Sequence, residues 1–523
     1  MLRLLLPLLA CVLAPAASAA PNVVVILADD LGVGDVKCYN PAGKIPTPNL
    51  DRLAAEGVRF TDAHSGSAVC TPTRYGLLTG RYAWRTKLQN GVLGGLSPRL
   101  IAPGRETIAS LLKKQGYHTA CVGKWHLGLD WTLKPGKQVS ELNIEPREQV
   151  FNVEYDQPFA GGPLAVGFDY YFGISASLDM VPYTFLENDR VAANPTEDKD
   201  FAMMKGRPGR GRNRKGPTAP GFDAADVLPK LRDKAVEYVA SRKGAGKPFF
   251  LYLPLTAPHT PILPTDDWDG KSKLNPYADF VMHTDAVVGD VLAALEKNGF
   301  AKDTLVIVTS DNGCSPQADF PELLRLGHNP SHVYRGTKAD IFEGGHRVPF
   351  LARWPGVAPP GQVSDHLVCL TDVFRTCCEV GGAAVPDAAG EDSFSIRGVL
   401  TGNQSGPLRA SIVNHSINGS FAIRDGDWKL CLCPGSGGWS APRPNRDDAS
   451  TLPKQQLFNL KQDIGEMKNR EADEPGTVTR LLAMLDKQVA DGRSTPGASQ
   501  KNDVAVDVWK AGTAATKPMP KKK

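Results

Sequence analysis

Cysteine is scarce, ten residues in 523, which is too few for a disulfide framework to carry the fold. Neither sign of charge is in excess: 60 Lys and Arg face 56 Asp and Glu, for a formal net charge of +4. A dedicated nucleic-acid binder shows a strongly basic domain, so no nucleic-acid partner is expected. Beyond the N-terminus no window approaches the roughly eighteen apolar residues of a membrane helix, and no transmembrane span is predicted. There is no internal repeat. What remains is an ordinary globular mixture, 41% apolar and 22% charged with 52 Gly and 42 Pro, which excludes a collagen-like or globally disordered chain. The length allows about two to four domains and a large core.

The first twenty residues read as a targeting segment. Arg3 supplies the early charge, Leu4 to Leu13 the apolar stretch and Ala17-Ser18-Ala19 a small-residue cleavage site, the pattern of a secretory signal peptide. A lipoprotein signal, with Leu9-Ala10-Cys11 ending at a lipidated cysteine, is the competing reading. Either predicts export to a periplasmic or extracellular space. Export permits disulfides, but pairing among Cys38, Cys121, Cys314, Cys369, Cys377, Cys378, Cys431 and Cys433 does not follow from spacing.

From about residue 22 to 380 strand-like and helix-like segments alternate. Val23 to Leu27 is a continuous β-branched and aliphatic run, suited to a strand buried on both faces of a parallel sheet. Thr47 as N-cap, Pro48 in the first turn and Gly57 as the stop delimit a helix. Thr107 to Gln115 reads as a helix, His118 to Val122, Phe249 to Leu253 and Leu305 to Val308 as strands, and Val281 to Leu295 carries helical spacing. The fold class is therefore α/β, a large domain over 21–405 with a mostly parallel central sheet flanked by helices. After about 405 the style changes. Ser411 to Val413, Phe421 to Arg424 and Trp428 to Leu432 look like short strands, with Asp425-Gly426 as a hairpin turn and a helix around Val478 to Val489. A smaller antiparallel sheet with a covering helix is expected over 406–494, and a disordered tail over 495–523, ending Lys521-Lys522-Lys523.

In open α/β sheets ligands sit beyond the carboxyl ends of the strands. Here those ends run into Asp29-Asp30, into Lys124-Trp125-His126, into His259 and into Asp311-Asn312. One polar strand end is only a solvated turn; four with complementary chemistry predict a shared site. Adjacent carboxylates repel and are relieved by a cation. Asp29, Asp30, Asp311 and Asn312 are hard oxygen donors, which suits Ca²⁺, or Mg²⁺, better than zinc.

Taken alone, Cys70-Thr71-Pro72-Thr73-Arg74 is a buried cysteine in an irregular loop. The pattern Cys-x-Pro-x-Arg nevertheless resembles the signature of the type I sulfatases, where a maturation enzyme oxidises the cysteine to formylglycine. The similarity extends in order through Asp29-Asp30-Leu31-Gly32, Thr47-Pro48-Asn49-Leu50-Asp51, Gly123-Lys124-Trp125-His126-Leu127-Gly128, Ala257-Pro258-His259, Ser310-Asp311-Asn312-Gly313, Arg335-Gly336-Thr337-Lys338 and Phe342-Glu343-Gly344-Gly345. The resemblance implies the alkaline-phosphatase superfamily fold, with no departure at a catalytic position. It assigns Ca²⁺ to Asp29, Asp30, Asp311, Asn312 and the modified Cys70, whose hydrated aldehyde attacks sulfur and later reforms. It makes Lys124 and Lys338 sulfate-binding cations and gives Arg74 the formylglycine hydroxyl. His126 is the implied base, and His259, with Lys338, the acid for the leaving oxygen, His259 also contacting the substrate.

Substrate recognition is less legible. Asp179, in Ser177 to Tyr183, and His328 and His332, in Gly327 to His332, lie in segments resembling the variable sugar-contacting loops of exo-acting carbohydrate sulfatases. The overall loop pattern resembles enzymes acting on 6-sulfated galactose or N-acetylgalactosamine. Lys205 to Lys215 is either a steering patch for a polyanionic glycan or a solvated loop. The expected function is removal of sulfate from a sulfated carbohydrate. The alternatives are a phosphonate or phosphate ester hydrolase of the same superfamily and an inactive glycan-binding relative.

Overall fold

The computed structural model describes residues 20–443 and 451–510; the expected signal peptide, with its lipoprotein alternative at Cys11, lies outside them. The strand Asn22–Asp29 is the centre of the molecule. Val23, Val25 and Leu27 enter one hydrophobic core, and Val24, Ile26 and Ala28 enter a second on the opposite face. Both faces are covered, which is why this run shows no polar alternation. Burying each of these Val, Leu and Ile side chains contributes about 1.5–3 kcal/mol.

Phe249–Pro258 and Thr304–Ser310 flank this strand, both parallel to it. Beyond Phe249–Pro258, His118–Lys124 and Tyr170–Ile174 continue the parallel run. On the other side Phe350–Arg353 pairs antiparallel with Thr304–Ser310, followed by Val58–Phe60 and Gln362–Ser364, in a sheet of ten strands. Helices Pro48–Glu56, Val227–Ser241 and Pro276–Lys297 cover one face through Leu53, Leu231 and Leu292. Cys70–Thr79, Ile108–Lys114 and Asp372–Val380 cover the other through Leu77, Leu112 and Phe374. The second of these is closed by reciprocal bonds: Thr107 Oγ1 accepts from the Ser110 amide at 3.0 Å and Ser110 Oγ from the Thr107 amide at 2.8 Å.

The C-terminal part is a four-stranded antiparallel sheet, Ser411–His415, Phe421–Asp425, Trp428–Cys431 and Gln456–Asn459. Its last strand carries no alternation that would have marked it. Helix Pro475–Asp491 packs Val478, Leu481 and Leu485 onto Ile412, Ile423 and Leu430, and the same cluster takes in Tyr82 and Trp84 of the large layer. Buried charge also ties the two parts together. Arg424 grips Asp62 with two bonds of 2.8 Å, and Lys429 Nζ lies 3.0 Å from Glu343 and 2.8 Å from Glu466.

The tail expected to be disordered from residue 495 is ordered through residue 510. Asp503 pairs with Arg81 at 3.1 Å, Asn502 accepts from Arg85 at 2.9 Å, and the Asp503 amide donates to the Arg85 carbonyl at 2.7 Å. Arg81 and Arg85 are both buried, and buried guanidiniums require acceptors. Glu391 and Asp392 supply part of them and the tail supplies the rest, so its order derives from two arginines elsewhere and not from a period of its own. All nine cysteines among the described residues are unpaired, and no described helix is long and apolar enough to cross a membrane.

Candidate active site

Four parallel strands deliver the polar residues to one edge of the sheet. Asp29 ends the central strand, Lys124 ends His118–Lys124, His259 follows Phe249–Pro258 and Asp311 follows Thr304–Ser310. Cys70 is the first residue of the helix Cys70–Thr79, after an extended Val69. That helix left no trace in the sequence because all ten of its residues are buried, which removes the apolar stripe that betrays a helix.

The side chains meet closely. Cys70 Sγ lies 3.7 Å from Asp29 Oδ1 and 3.6 Å from Lys338 Nζ. Lys338 Nζ is 2.7 Å from Asp30 Oδ1, and Lys124 Nζ 2.6 Å from Asp29 Oδ2. Arg74 donates twice to Asp311 Oδ2, from Nε at 3.1 Å and from an end nitrogen at 2.7 Å, and lies 3.3 Å from Asp29. Asp311 Oδ1 accepts the Asp30 amide at 3.2 Å, and Asn312 Nδ2 donates to Asp30 Oδ1 at 2.7 Å. The structure thus brings together Asp29, Asp30, Cys70, Arg74, Lys124, His259, Asp311, Asn312 and Lys338.

Three carboxylates, Asp29, Asp30 and Asp311, face three cations, Arg74, Lys124 and Lys338, with formal charges that cancel. Burial alone would push the Asp29 carboxyl up, but Lys124, His259, Arg74 and Lys338 outweigh it and hold it well below its ordinary value. Burial, joined by repulsion from Asp29, raises the Asp311 carboxyl despite Arg74. Lys338 stays protonated beyond its usual range, because Asp30, Cys70 and Asp29 overcome the cost of burial. Burial drives the Cys70 thiol up to about 12, so the unmodified side chain is a protonated thiol and a poor nucleophile at neutral pH.

The residues fit a hard divalent cation. Ligand atoms of Asp29, Asp30, Cys70 and His259 all lie within 4.8 Å of one another. Asn312 Oδ1 is buried without a hydrogen-bond partner, a neutral oxygen acceptor of the type such ions take. His259 thus joins the cluster, a position the sequence reading gave to proton transfer and substrate binding. Asp311 is turned mainly toward Arg74.

The two histidines are differently set. His126 Nε2 donates to the Leu93 carbonyl at 2.8 Å, which fixes the proton there and leaves the buried Nδ1 without a partner. Burial and Lys124 hold its imidazole well below the ordinary value. His259 Nδ1 donates to the Thr260 carbonyl at 2.6 Å, and its Nε2 lies 3.7 Å from Asp30.

The substrate-contact expectations divide. Asp179 is half-buried with Oδ1 unpaired, and Ser177 Oγ two residues earlier is also unpaired. Sequence reading missed Glu145, which is buried with neither oxygen in a well-formed hydrogen bond and sits against Gly94, beside the Leu93 that holds His126. Nothing in its neighbourhood along the chain distinguishes it. His328 is buried with both ring nitrogens engaged, Nδ1 accepting the Lys44 amide at 3.2 Å and Nε2 donating to Asp35 at 2.8 Å, which leaves no ring nitrogen for a sugar. His332 packs its ring edgewise on Tyr334. In the basic stretch, Lys205, Arg207, Arg210, Arg212 and Lys215 are each paired with an acid, Asp266, Glu322, Asp319, Asp200 and Asp198, which removes most of its field as a steering patch.

Fold and site together define an enzyme for an anionic ester, with its reacting group at a helix start on the carboxyl edge of a mostly parallel sheet. A family model described as sulfatase matches residues 21–383. The chain is 33% identical over 504 residues to the N-acetylgalactosamine-6-O-sulfatase of Bacteroides thetaiotaomicron, covering 90% of this chain and 93% of that one. It is 31% identical over 514 residues to human arylsulfatase A, covering 94% and 92%. A solved structure described for the metabolism of multiple glycosaminoglycans by Bacteroides thetaiotaomicron superposes with a TM-score of 0.76 at 30% identity, over 90% of this chain and 99% of that one. The chain belongs to the sulfatase family, and its reaction is the hydrolysis of a sulfate ester; a phosphate or phosphonate ester as the main substrate is not favoured.

Proposed function

We propose that the enzyme removes sulfate from a 6-sulfated galactose or N-acetylgalactosamine unit, using Ca²⁺ and a formylglycine made from Cys70 by a maturation enzyme. The observation that carries this reading is the position of Cys70 Sγ between Lys338 Nζ at 3.6 Å and Asp29 Oδ1 at 3.7 Å. When present, the cation at Asp29, Asp30, Asp311 and Asn312 and the oxidised Cys70 supply positive charge and an activated oxygen nucleophile. Lys124 and Lys338 bind the sulfate oxygens, where fixed cations in a dry site act most strongly. Arg74 orients the oxygen on residue 70 and holds Asp311. His126 takes a proton at Nδ1, the nitrogen its bond to Leu93 leaves open. His259 gives one from Nε2 to the departing oxygen, with Lys338 beside it.

The similarity to an N-acetylgalactosamine-6-O-sulfatase over most of both chains supports the sugar class. Asp179, Ser177 and Glu145 offer buried unpaired acceptors that sugar hydroxyls would satisfy. The test compares turnover of 6-sulfated N-acetylgalactosamine, p-nitrophenyl sulfate and p-nitrophenyl phosphate by protein from the native host with Ca²⁺ present. The sugar sulfate should be the best substrate; faster phosphate turnover would overturn the reading.

A further inference from the structure

Asp30 occupies the left-handed region, at φ 64°, which a non-glycine residue adopts only when its surroundings hold it there. The side chain is held from the front by Asn312 at 2.7 Å and Lys338 at 2.7 Å. The backbone is held from behind. The Tyr277 hydroxyl, with one proton to give, is shared between the Asp30 carbonyl at 3.1 Å and Asp35 Oδ2 at 2.5 Å. The same Asp35 oxygen accepts the Gly32 amide at 2.9 Å, and Oδ1 accepts His328 Nε2 at 2.8 Å. His328 Nδ1 accepts the Lys44 amide, so both of its ring nitrogens are engaged and the ring is fixed against Asp35.

The loop carrying His328 clamps the same turn. Gly34 donates to the Pro330 carbonyl at 2.8 Å. A Cβ on Gly32 would stand 2.3 Å from the Pro330 oxygen, and one on Gly34 2.1 Å from the Asn329 oxygen, so this approach admits only glycine at both positions. We propose that Tyr277, Asp35 and His328 are positioning residues, a buried relay that fixes the Asp30 turn so that its carboxylate faces the cation. The relay rests on the cation reading given above. Groups behind metal ligands that orient them are worth about 10–100-fold in metal affinity.

The experiment is calorimetric titration of the full chain with Ca²⁺ alone, for the wild type and for Tyr277→Phe, His328→Ala and His328→Gln. Tyr277→Phe, which keeps the ring and loses only the hydroxyl, should bind Ca²⁺ about 10–100-fold more weakly, and its activity should climb toward wild type as Ca²⁺ is raised. His328→Ala should weaken binding, and His328→Gln, which keeps a donor toward Asp35, should recover part of it. Unchanged Ca²⁺ affinity in Tyr277→Phe would overturn the relay while leaving the cation reading intact. A wild type that binds no Ca²⁺ would overturn the cation reading itself, and the relay with it.

Discussion

Lys338 Nζ touches two groups at once, Asp30 Oδ1 at 2.7 Å and Cys70 Sγ at 3.6 Å. One ammonium therefore serves both the acidic cluster and the reacting side chain, and its charge cannot be removed without disturbing both.

Lys338→Ala should lower kcat/KM on an aryl sulfate by about 10²–10³-fold, the usual loss when one fixed donor to a developing anion is deleted. Steady-state kinetics checks it. A loss under about tenfold would show that the cation does not reach the sulfate.

Cys70→Ala and Cys70→Ser should each lose at least about a thousandfold in turnover, since the group that bonds to sulfur is gone or cannot regenerate. Mass spectrometry of the peptide around residue 70 from the native host should show a loss of about 18 Da, thiol to aldehyde. An unmodified peptide in fully active protein would contradict the proposed nucleophile.

Stripping divalent ions with EDTA should abolish turnover and lower the melting temperature, and added Ca²⁺ should restore both. At an ion concentration one hundred times Kd the stabilisation is about 2.7 kcal/mol. Differential scanning calorimetry with and without Ca²⁺ measures it.

Burial, with Glu343 adding to it and Lys429 opposing, pushes Glu466 up to about 7, against roughly 4.3 in an unfolded chain. Between these values the folded protein binds more protons than the unfolded one, so this group's contribution to stability is complete below about pH 4 and is lost as pH rises toward 7. Glu466→Gln, which cannot ionise, should show a smaller fall in melting temperature between pH 5 and pH 8 than the wild type. An identical fall would mean that Glu466 ionises normally in the fold.

Ending the chain at residue 498 would deprive Arg81 and Arg85 of Asp503 and Asn502. Arg81 keeps Glu391 and Arg85 keeps Asp392, so the loss is one of hydrogen bonds to buried donors, and the deletion should cost roughly 1–3 kcal/mol, read by chemical denaturation. Intact stability would show that water replaces these contacts without loss.

Much of the site was legible because the chemistry sits at strand ends. The run Val23 to Leu27 declares a parallel strand, and Asp29-Asp30 follows it directly. Tertiary partners, by contrast, leave no local mark. Glu145 is set apart only by what fails to bond to it, and His328 by Asp35, 293 positions away. The stretch 495–510 reads as unstructured because its order is borrowed from Arg81 and Arg85. Helix Cys70–Thr79 hides because a segment enclosed on every side needs no polar face.

The cancelling charges around Cys70 bear on assembly. Small zinc-binding modules collapse without their ion because binding it supplies most of their folding free energy. Here Arg74, Lys124 and Lys338 already neutralise Asp29, Asp30 and Asp311. The polypeptide thus needs no ion to balance these charges, and a divalent cation bound there would convert a neutral pocket into one that attracts anions.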